Sequence, residues 1–281
     1  MQILTAPQQL AAQCRAWHKA GDDIALVPTM GYYHAGHEAL MAHGRTLGKR
    51  LVVSLFVNPT QFGPDEDLEA YPRDPERDAA IAASQGADVL FMPEPGSMYA
   101  PDHATWVEVP DLAKVLCGQT RPIHFRGVCT VVLKLFMLSA ADVAVFGQKD
   151  WQQQAILRRM VLDLNLPVRI ETLPIVRESD GLALSSRNVY LAPEERAQAP
   201  EIRRGLLHAQ KLAQEGETSV HLLREAVLRR WAEILPLGRL DYLSIVHPES
   251  LAQLDKVDGP ALMACAVRMG KARLIDNIIL R

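Results

Sequence analysis

The sequence predicts an α/β protein: a Rossmann-like, doubly wound parallel sheet over residues 1–176 and a smaller α+β domain over residues 177–281. Three observations predict it. Nearly continuous apolar runs such as IALVPTM (24–30) and RLVVSLFVN (50–58) read as strands covered on both faces. Helical periodicities alternate with such runs as far as residue 175 or so. Beyond Arg177 the order changes to helices followed by alternating apolar and polar runs, the pattern of an antiparallel sheet.

Taken in order, HEALMAHGRTLGK places Ala39, Leu40, His43 and Leu47 at helical spacing and ends near a glycine. Two parallel strands joined by such a helix form a right-handed crossover. DPERDAAIAASQG opens with acidic residues, closes at Gly86 and leads into the strand ADVLFMP. GVCTVVLKLFMLSA reads as a helix despite its valines, and DVAVFG (142–147) as the next strand. DWQQQAILRRMVLDLNL carries Ile156, Met160 and Leu164 four residues apart, and VRIETLPIV (168–176) is one more strand. In the second domain, APEERAQAPEIRRGLLHAQKLAQEG, marked by Pro200, and SVHLLREAVLRRWAEIL are helical. RLDYLSIVHP, ALMACAVRM and RLIDNIIL follow as strands, the last two joined across GKA as a hairpin.

Composition narrows the function. Hydrophobic residues at 48% and charged residues at 22% are those of a globular protein with a sizeable core. A formal charge of -3 provides no sequence-wide attraction for nucleic acid. The amino terminus lacks the cationic start and unbroken apolar core of a signal peptide, and VVLKLFML is short and carries Lys134, so no membrane partner is expected. Cys14, Cys117, Cys129 and Cys265 are scattered without CxxC spacing, which points to reduced thiols in the cytoplasm and away from zinc.

The chemically suggestive residues fall just beyond strand ends, where open α/β sheets bind ligands. His34, Gly36 and His37 follow the first strand; Asn58 and Gln61 follow the second; Gly147, Lys149 and Asp150 follow DVAVF; Ser185, Ser186 and Arg187 begin the second domain. Three readings compete for His34 and His37. A metal site needs further ligands, and Met41 stands where an HExxH motif needs histidine. Polar residues at an exposed helix start need no function at all. The third reading uses free N–H groups at the helix start and two imidazole donors to receive an anion. There the histidines outweigh the dipole, because one preorganised donor is worth roughly 3–4 kcal/mol against about 0.3–1 for an exposed helix end. Lys149 supplies a point charge suited to phosphate. Asp150 either caps the following helix, orients Lys149 or holds a ribose hydroxyl. Gln61 and Gln153 offer amides suited to hydroxyl and carboxylate groups, and SSR combines two hydroxyls with a forked guanidinium. His124, Arg126 and Gly127 in RPIHFRGV either function directly or pack the domain junction.

The blocks PTMGYYHAGHEAL, VSLFVNPTQF, YPRDPERD, RPIHFRGVCTVVLKLF, VFGQKDWQQ and DGLALSSRNVYL, in this order, resemble the pantoate–β-alanine ligase family. They span most of residues 27–191; beyond them the likeness is looser, chiefly in LDY and RLIDNI. An HxGH pair alone would indicate only the wider nucleotidyltransferase superfamily. The resemblance implies that the carboxylate of pantoate attacks the α-phosphorus of ATP, releasing pyrophosphate, and that β-alanine then attacks the resulting acyl adenylate to give pantothenate and AMP. It implies an ATP site made of Met30, Gly31, Tyr32, Tyr33, His34, Ala35, Gly36, His37, Gly147, Gln148, Lys149, Asp150, Val176, Leu184, Ser185, Ser186 and Arg187. Within that set His37, His34 and Lys149 would be catalytic, with His37 a proton donor or, as imidazolium, a charge stabiliser. Gln61 and Gln153 would hold pantoate, Gln61 also lying at the β-alanine site.

The same resemblance implies magnesium bound with ATP, no tightly held organic cofactor, a homodimer through the amino-terminal domain, and closure of the second domain over the intermediate. Tyr33 departs from the family's usual leucine. Arg77 stands at a position often acidic beside Asp78, so no protein-bound metal is assigned there. Two alternatives remain at this level: another HxGH nucleotidyltransferase, and a non-catalytic nucleotide-binding module.

Overall fold

The computed structural model describes residues 1–64 and 66–281. Strands β1 (Gln2–Leu4), β2 (Ile24–Thr29), β3 (Arg50–Leu55), β4 (Val89–Phe91), β5 (Val143–Gly147) and β6 (Arg169–Leu173) form one sheet in the order β1-β4-β3-β2-β5-β6. Every pairing in it is parallel. From β2 the chain first winds outward through β3 and β4, then returns to lay β5 on the other side of β2. The order therefore reverses between β2 and β5, and a crevice opens beyond their carboxyl ends.

Helices cover both faces. α1 (Pro7–Lys19) is helical because Leu10, Cys14 and Trp17 recur at helical spacing and are all buried. It shares one core with the long α7 (His124–Ser139) and with α8 (Trp151–Asp163). α2 (Ala35–Leu47) and α3 (Pro75–Ser84) cover the opposite face through Met41 and Ala82. Between α3 and α7 come single turns, α4 (Pro95–Met98), α5 (Pro110–Ala113) and α6 (Cys117–Thr120). The two-residue-sided apolar runs account for β2 and β3, whose central residues are all buried.

Beyond residue 192, α9 (Pro193–Gln198), α10 (Pro200–Gln214) and α11 (Val220–Ile234) pack on an antiparallel sheet of β7 (Gly238–Val246), β8 (Ala261–Met269) and β9 (Ala272–Leu280). Ile202, Leu206, Val227, Trp231, Met263 and Cys265 fill that second core. The other face of the sheet meets the first unit: Val246, Leu262 and Ala264 pack with Leu116 and Trp151, and Trp151 Nε1 donates to Pro248 O at 2.8 Å. The crevice between the two units is thus floored by strand ends of the parallel sheet and walled by the antiparallel one.

Candidate active site

The site begins with a bent loop after β2. Gly31 has φ +85° and Tyr32 φ 52°, so the chain turns sharply before α2. Asp78, nearly fully buried in α3, accepts from the N–H of Tyr32 at 2.6 Å and from that of Tyr33 at 2.7 Å. A Cβ on Gly31 would lie 2.9 Å from Asp78 Oδ2, so glycine is required for this approach. Burial pushes the Asp78 carboxyl pKa up, and the two amides oppose that rise. Arg77 donates to Tyr33 O at 3.0 Å and lies 5.5 Å from the centre of the Tyr32 ring. Arg77 and Asp78 together clamp the loop, which explains an arginine beside the aspartate without a metal.

The clamp sets the two histidines. His34 is the N-cap of α2, and its Nδ1 accepts from the N–H of Gly36 at 3.1 Å. The N–H of His34 points at Nδ1 of His37, 3.4 Å away, and the two rings are 4.2 Å apart between centres. Both imidazoles therefore use Nδ1 as acceptor, so each carries its proton on Nε2. Desolvation, assisted by the charge of Lys149, lowers the His34 pKa to about 4. Burial first, then His34 and Lys149, holds His37 well below its ordinary value. Burial and these neighbouring charges favour the neutral imidazole at His37, whose proton then sits on Nε2.

Across the crevice, a single 3₁₀ turn (Gln148–Asp150) between β5 and α8 carries Lys149. Asn277, buried in β9, donates through one Nδ2 to both Gln148 O and Lys149 O at 3.0 Å. Its neighbour Asp276 forms a two-pronged pair with Arg177 at 2.7 and 2.8 Å, and Arg177 donates onward to Gly181 O. These contacts tie β9 to both segments that carry the cationic and hydroxyl groups. Asp150 sits at the N-cap of α8 but makes no capping bond, so its carboxylate stays available 3.7 Å from Lys149 Nζ. Ser185 Oγ accepts from the N–H of Arg187, and Ser186 Oγ donates to Tyr32 O at 3.3 Å. Arg187 faces Asp67 fork to fork at 2.9 Å on both prongs, and this partner and burial act in opposite directions on its pKa, with the net shift upward.

A third cluster lies beyond β3. Asn58 donates to Gln61 Oε1 and to Gly127 O, both at 3.1 Å, while Gln61 Nε2 points at Met30 Sδ. His124 Nδ1 donates to Gln61 O at 3.0 Å, and burial with the Arg121 charge pushes its pKa down to about 3. Gly127 permits this packing: a Cβ there would lie 2.5 Å from Thr60 O. In WQQQ the middle amide, Gln153, lines both lobes of the crevice, while its neighbours are held by local bonds. Gln152 is buried on Cys117 N, Leu112 O and Val115 O, and Gln154 bonds Gly147 O and Thr172.

Met30, His34, Gly36, His37, Gln61, Gly147, Lys149, Asp150, Gln153, Val176, Leu184, Ser185, Ser186 and Arg187 all line one cleft. A second lobe shares Arg121, His124, Lys149, Asp150, Gln153, Ser185 and Arg187 with it. Gly31, Tyr32, Ala35 and Gln148 from the predicted nucleotide set do not line the cleft. Tyr33 is buried in the α2–α3 core, its hydroxyl 3.2 Å from Thr29 Oγ1 and its ring 5.4 Å from His37. It supports the histidine from below rather than facing a ligand. Asp78, Asp276 and Asn277 were not among the predicted site residues; the signal for the last two was a polar pair inside the apolar strand RLIDNIIL.

Comparison with known proteins gives one consistent result. The family described as pantoate-beta-alanine ligase matches residues 2–279. The chain is 86% identical over 280 residues to a pantothenate synthetase of Desulfovibrio desulfuricans, covering 100% of this chain and 99% of that one. It is 60% identical, with the same coverage, to a pantothenate synthetase of Nitratidesulfovibrio vulgaris. Among solved structures, pantothenate synthetase from Thermus thermophilus superposes with a TM-score of 0.93 at 44% identity over 99% of both chains. A pantoate-beta-alanine ligase from Francisella tularensis, complexed with beta-gamma ATP and beta-alanine, superposes with a TM-score of 0.79 at 29% identity, covering 99% of this chain and 97% of that one.

Proposed function

The chain belongs to the pantoate-beta-alanine ligase family, and we propose that its crevice joins pantoate to β-alanine through a pantoyl adenylate, with each half-reaction served by a different side-chain cluster. A free carboxylate is a poor acyl donor to an amine, so it must first gain a leaving group. Pantoate, held by Gln61 and Gln153, attacks the α-phosphorus of ATP, and pyrophosphate departs. His34 and His37 meet the charge developing on the phosphates with neutral Nε2–H donors, and Lys149 supplies the point charge. Neutral donors suit the step, because departing pyrophosphate needs hydrogen bonds and little protonation. β-Alanine then attacks the acyl carbon, and AMP leaves with the former carboxylate oxygen.

The observation that carries this reading is the pairing of two Nε2–H imidazoles at the sheet's switch point with Lys149 on the facing turn. Magnesium enters as part of the ATP substrate and neutralises its phosphates. The described residues contain no group of three His, Cys, Asp or Glu side chains placed to hold an ion themselves. Val176, Leu184 and the Ser185–Arg187 segment complete the nucleotide wall, and the unit over residues 177–281 closes on it, excluding water from the adenylate.

A cytoplasmic homodimer completes the proposal. Exposed Leu162 and Leu164, beside the open edge of β6, support self-association through the parallel-sheet unit, which sedimentation velocity reads directly. The catalytic reading is tested by exchange of labelled pyrophosphate into ATP. Exchange is expected to require pantoate and magnesium and to proceed without β-alanine. Folded protein that shows no pantoate-dependent exchange would remove the adenylation step.

A further inference from the structure

β-Alanine brings a carboxylate as well as an amine, and that second charge needs a partner which the adenylation machinery does not provide. The amine nitrogen must reach the acyl carbon between Gln61 and Gln153. Two methylenes separate that nitrogen from the carboxyl carbon, a span of at most about 4 Å at ordinary bond lengths. The anchoring cation must therefore lie near Gln61 rather than at the nucleotide end.

Among the described residues the lobe that holds Gln61 is lined by the cations Arg121, Lys149 and Arg187, and Arg268, Lys271 and Arg273 line only the other lobe. Lys149 is on the β5 turn that faces the histidines. Arg187 is engaged along two prongs by Asp67 and sits within the serine segment. Arg121 differs on each count. Its Nη2 reaches Gln61 O at 3.4 Å, beside the amide proposed to hold pantoate. It meets Glu66 through one carboxylate oxygen only, Oε2, with Nε at 2.9 Å. Its Nη1 makes no hydrogen bond among the described residues. The side chain is largely buried and lines both lobes of the crevice. His124, on the same Gln61 carbonyl, is neutral and provides no competing charge.

We infer that Arg121 is the residue that selects an amino acid over a simple amine, by receiving the carboxylate of β-alanine on its free edge while Glu66 and Gln61 O fix its orientation. This rests on the proposed ligation and deepens it: Arg121 acts in the second half-reaction alone. A planar guanidinium with five donors can hold two carboxylates at once, which a lysine cannot do with the same geometry.

The test uses full-length protein loaded with pantoyl adenylate from ATP and pantoate, then chased in single turnovers with β-alanine or with its uncharged amide, 3-aminopropanamide. For the unchanged protein, β-alanine is expected to be preferred by about 100-fold in the second-order rate. In Arg121→Met that preference is expected to collapse at least about 30-fold, the two amines being compared on the same preformed adenylate so that any change in adenylation cancels. Arg121→Lys, which keeps the charge, is expected to retain more of the preference than Arg121→Met. A preference unchanged in Arg121→Met, or lost equally in Arg121→Lys and Arg121→Met, would overturn the assignment. Absence of exchange in the unchanged protein would instead strike the ligation reading, so the two failures are distinguishable.

Discussion

The parallel-sheet unit and the antiparallel-sheet unit both border the crevice, yet they contribute in opposite ways. From the first come side chains that face the ligand: His34 and His37 after β2, Gln61 after β3, Lys149 after β5. From the second, the strand β9 sends Asn277 and Asp276 to hold backbone and arginine of other segments. Strand ends of a parallel sheet converge on one point and leave N–H groups free there, so they suit reactive groups. A strand interior in an antiparallel sheet is rigid, so it suits a brace. The division is one of emphasis: Asp78 braces the histidine loop from within the first unit, Ser185–Arg187 of the second line the cleft, and reacting and aiming groups can still be broken separately.

His37→Ala breaks the reacting groups at their centre. Removing one preorganised donor is expected to slow pantoate-dependent exchange about 100- to 1000-fold while thermal unfolding changes little. Near-normal single-turnover adenylation would contradict its role. The braces come next. Asp78→Ala leaves two buried amides without their acceptor and is expected to cost about 2–4 kcal/mol of stability, read by urea unfolding, together with a loss of exchange. Asn277→Ala frees two carbonyls near the crevice, for about 1–2 kcal/mol and a rise of roughly fivefold in the KM for ATP. An effect of Asn277→Ala on the pantoate KM alone would sever β9 from the nucleotide side.

The smallest effect concerns pH. His124 has its folded pKa depressed to about 3 from an ordinary 6.5, so below pH 6.5 the unfolded chain takes a proton that the folded chain refuses. Stability therefore falls as pH drops, by about 1.5 kcal/mol between pH 6.5 and 5 from this group. His124→Gln is expected to remove that increment from the urea-unfolding difference, and an unchanged difference would show that His124 is not held neutral.

Much of this division was legible in the sequence. Doubly apolar runs marked β2 and β3, and the polar clusters immediately after them marked the crevice, because a strand end is a local event in the chain. β1 was not legible: three residues, Gln2–Leu4, are too few to show a period. α1 went unmarked although Leu10, Cys14 and Trp17 carry its pattern, since its polar residues surround a narrow apolar stripe. The clamp by Asp78 was hidden for a different reason. A carboxylate near a helix start reads as an ordinary dipole partner, and its true partners, Tyr32 and Tyr33, lie 46 and 45 residues away. Tyr33 was assigned with its neighbours to the nucleotide wall because a run of adjacent residues was carried over together. Packing separates them, since Tyr33 is drawn into the core beneath the histidines while His34 and His37 line the cleft.

The central claim is that the carboxylate of pantoate attacks the α-phosphorus at the histidine end of the crevice. It is tested most directly with pantoate labelled in both carboxylate oxygens with oxygen-18, ATP, magnesium and β-alanine, followed by mass analysis of the products. One labelled oxygen is expected in the phosphate of AMP and one in the amide of pantothenate, with none in pyrophosphate. Unlabelled AMP, or label in pyrophosphate or inorganic phosphate, would contradict the mechanism.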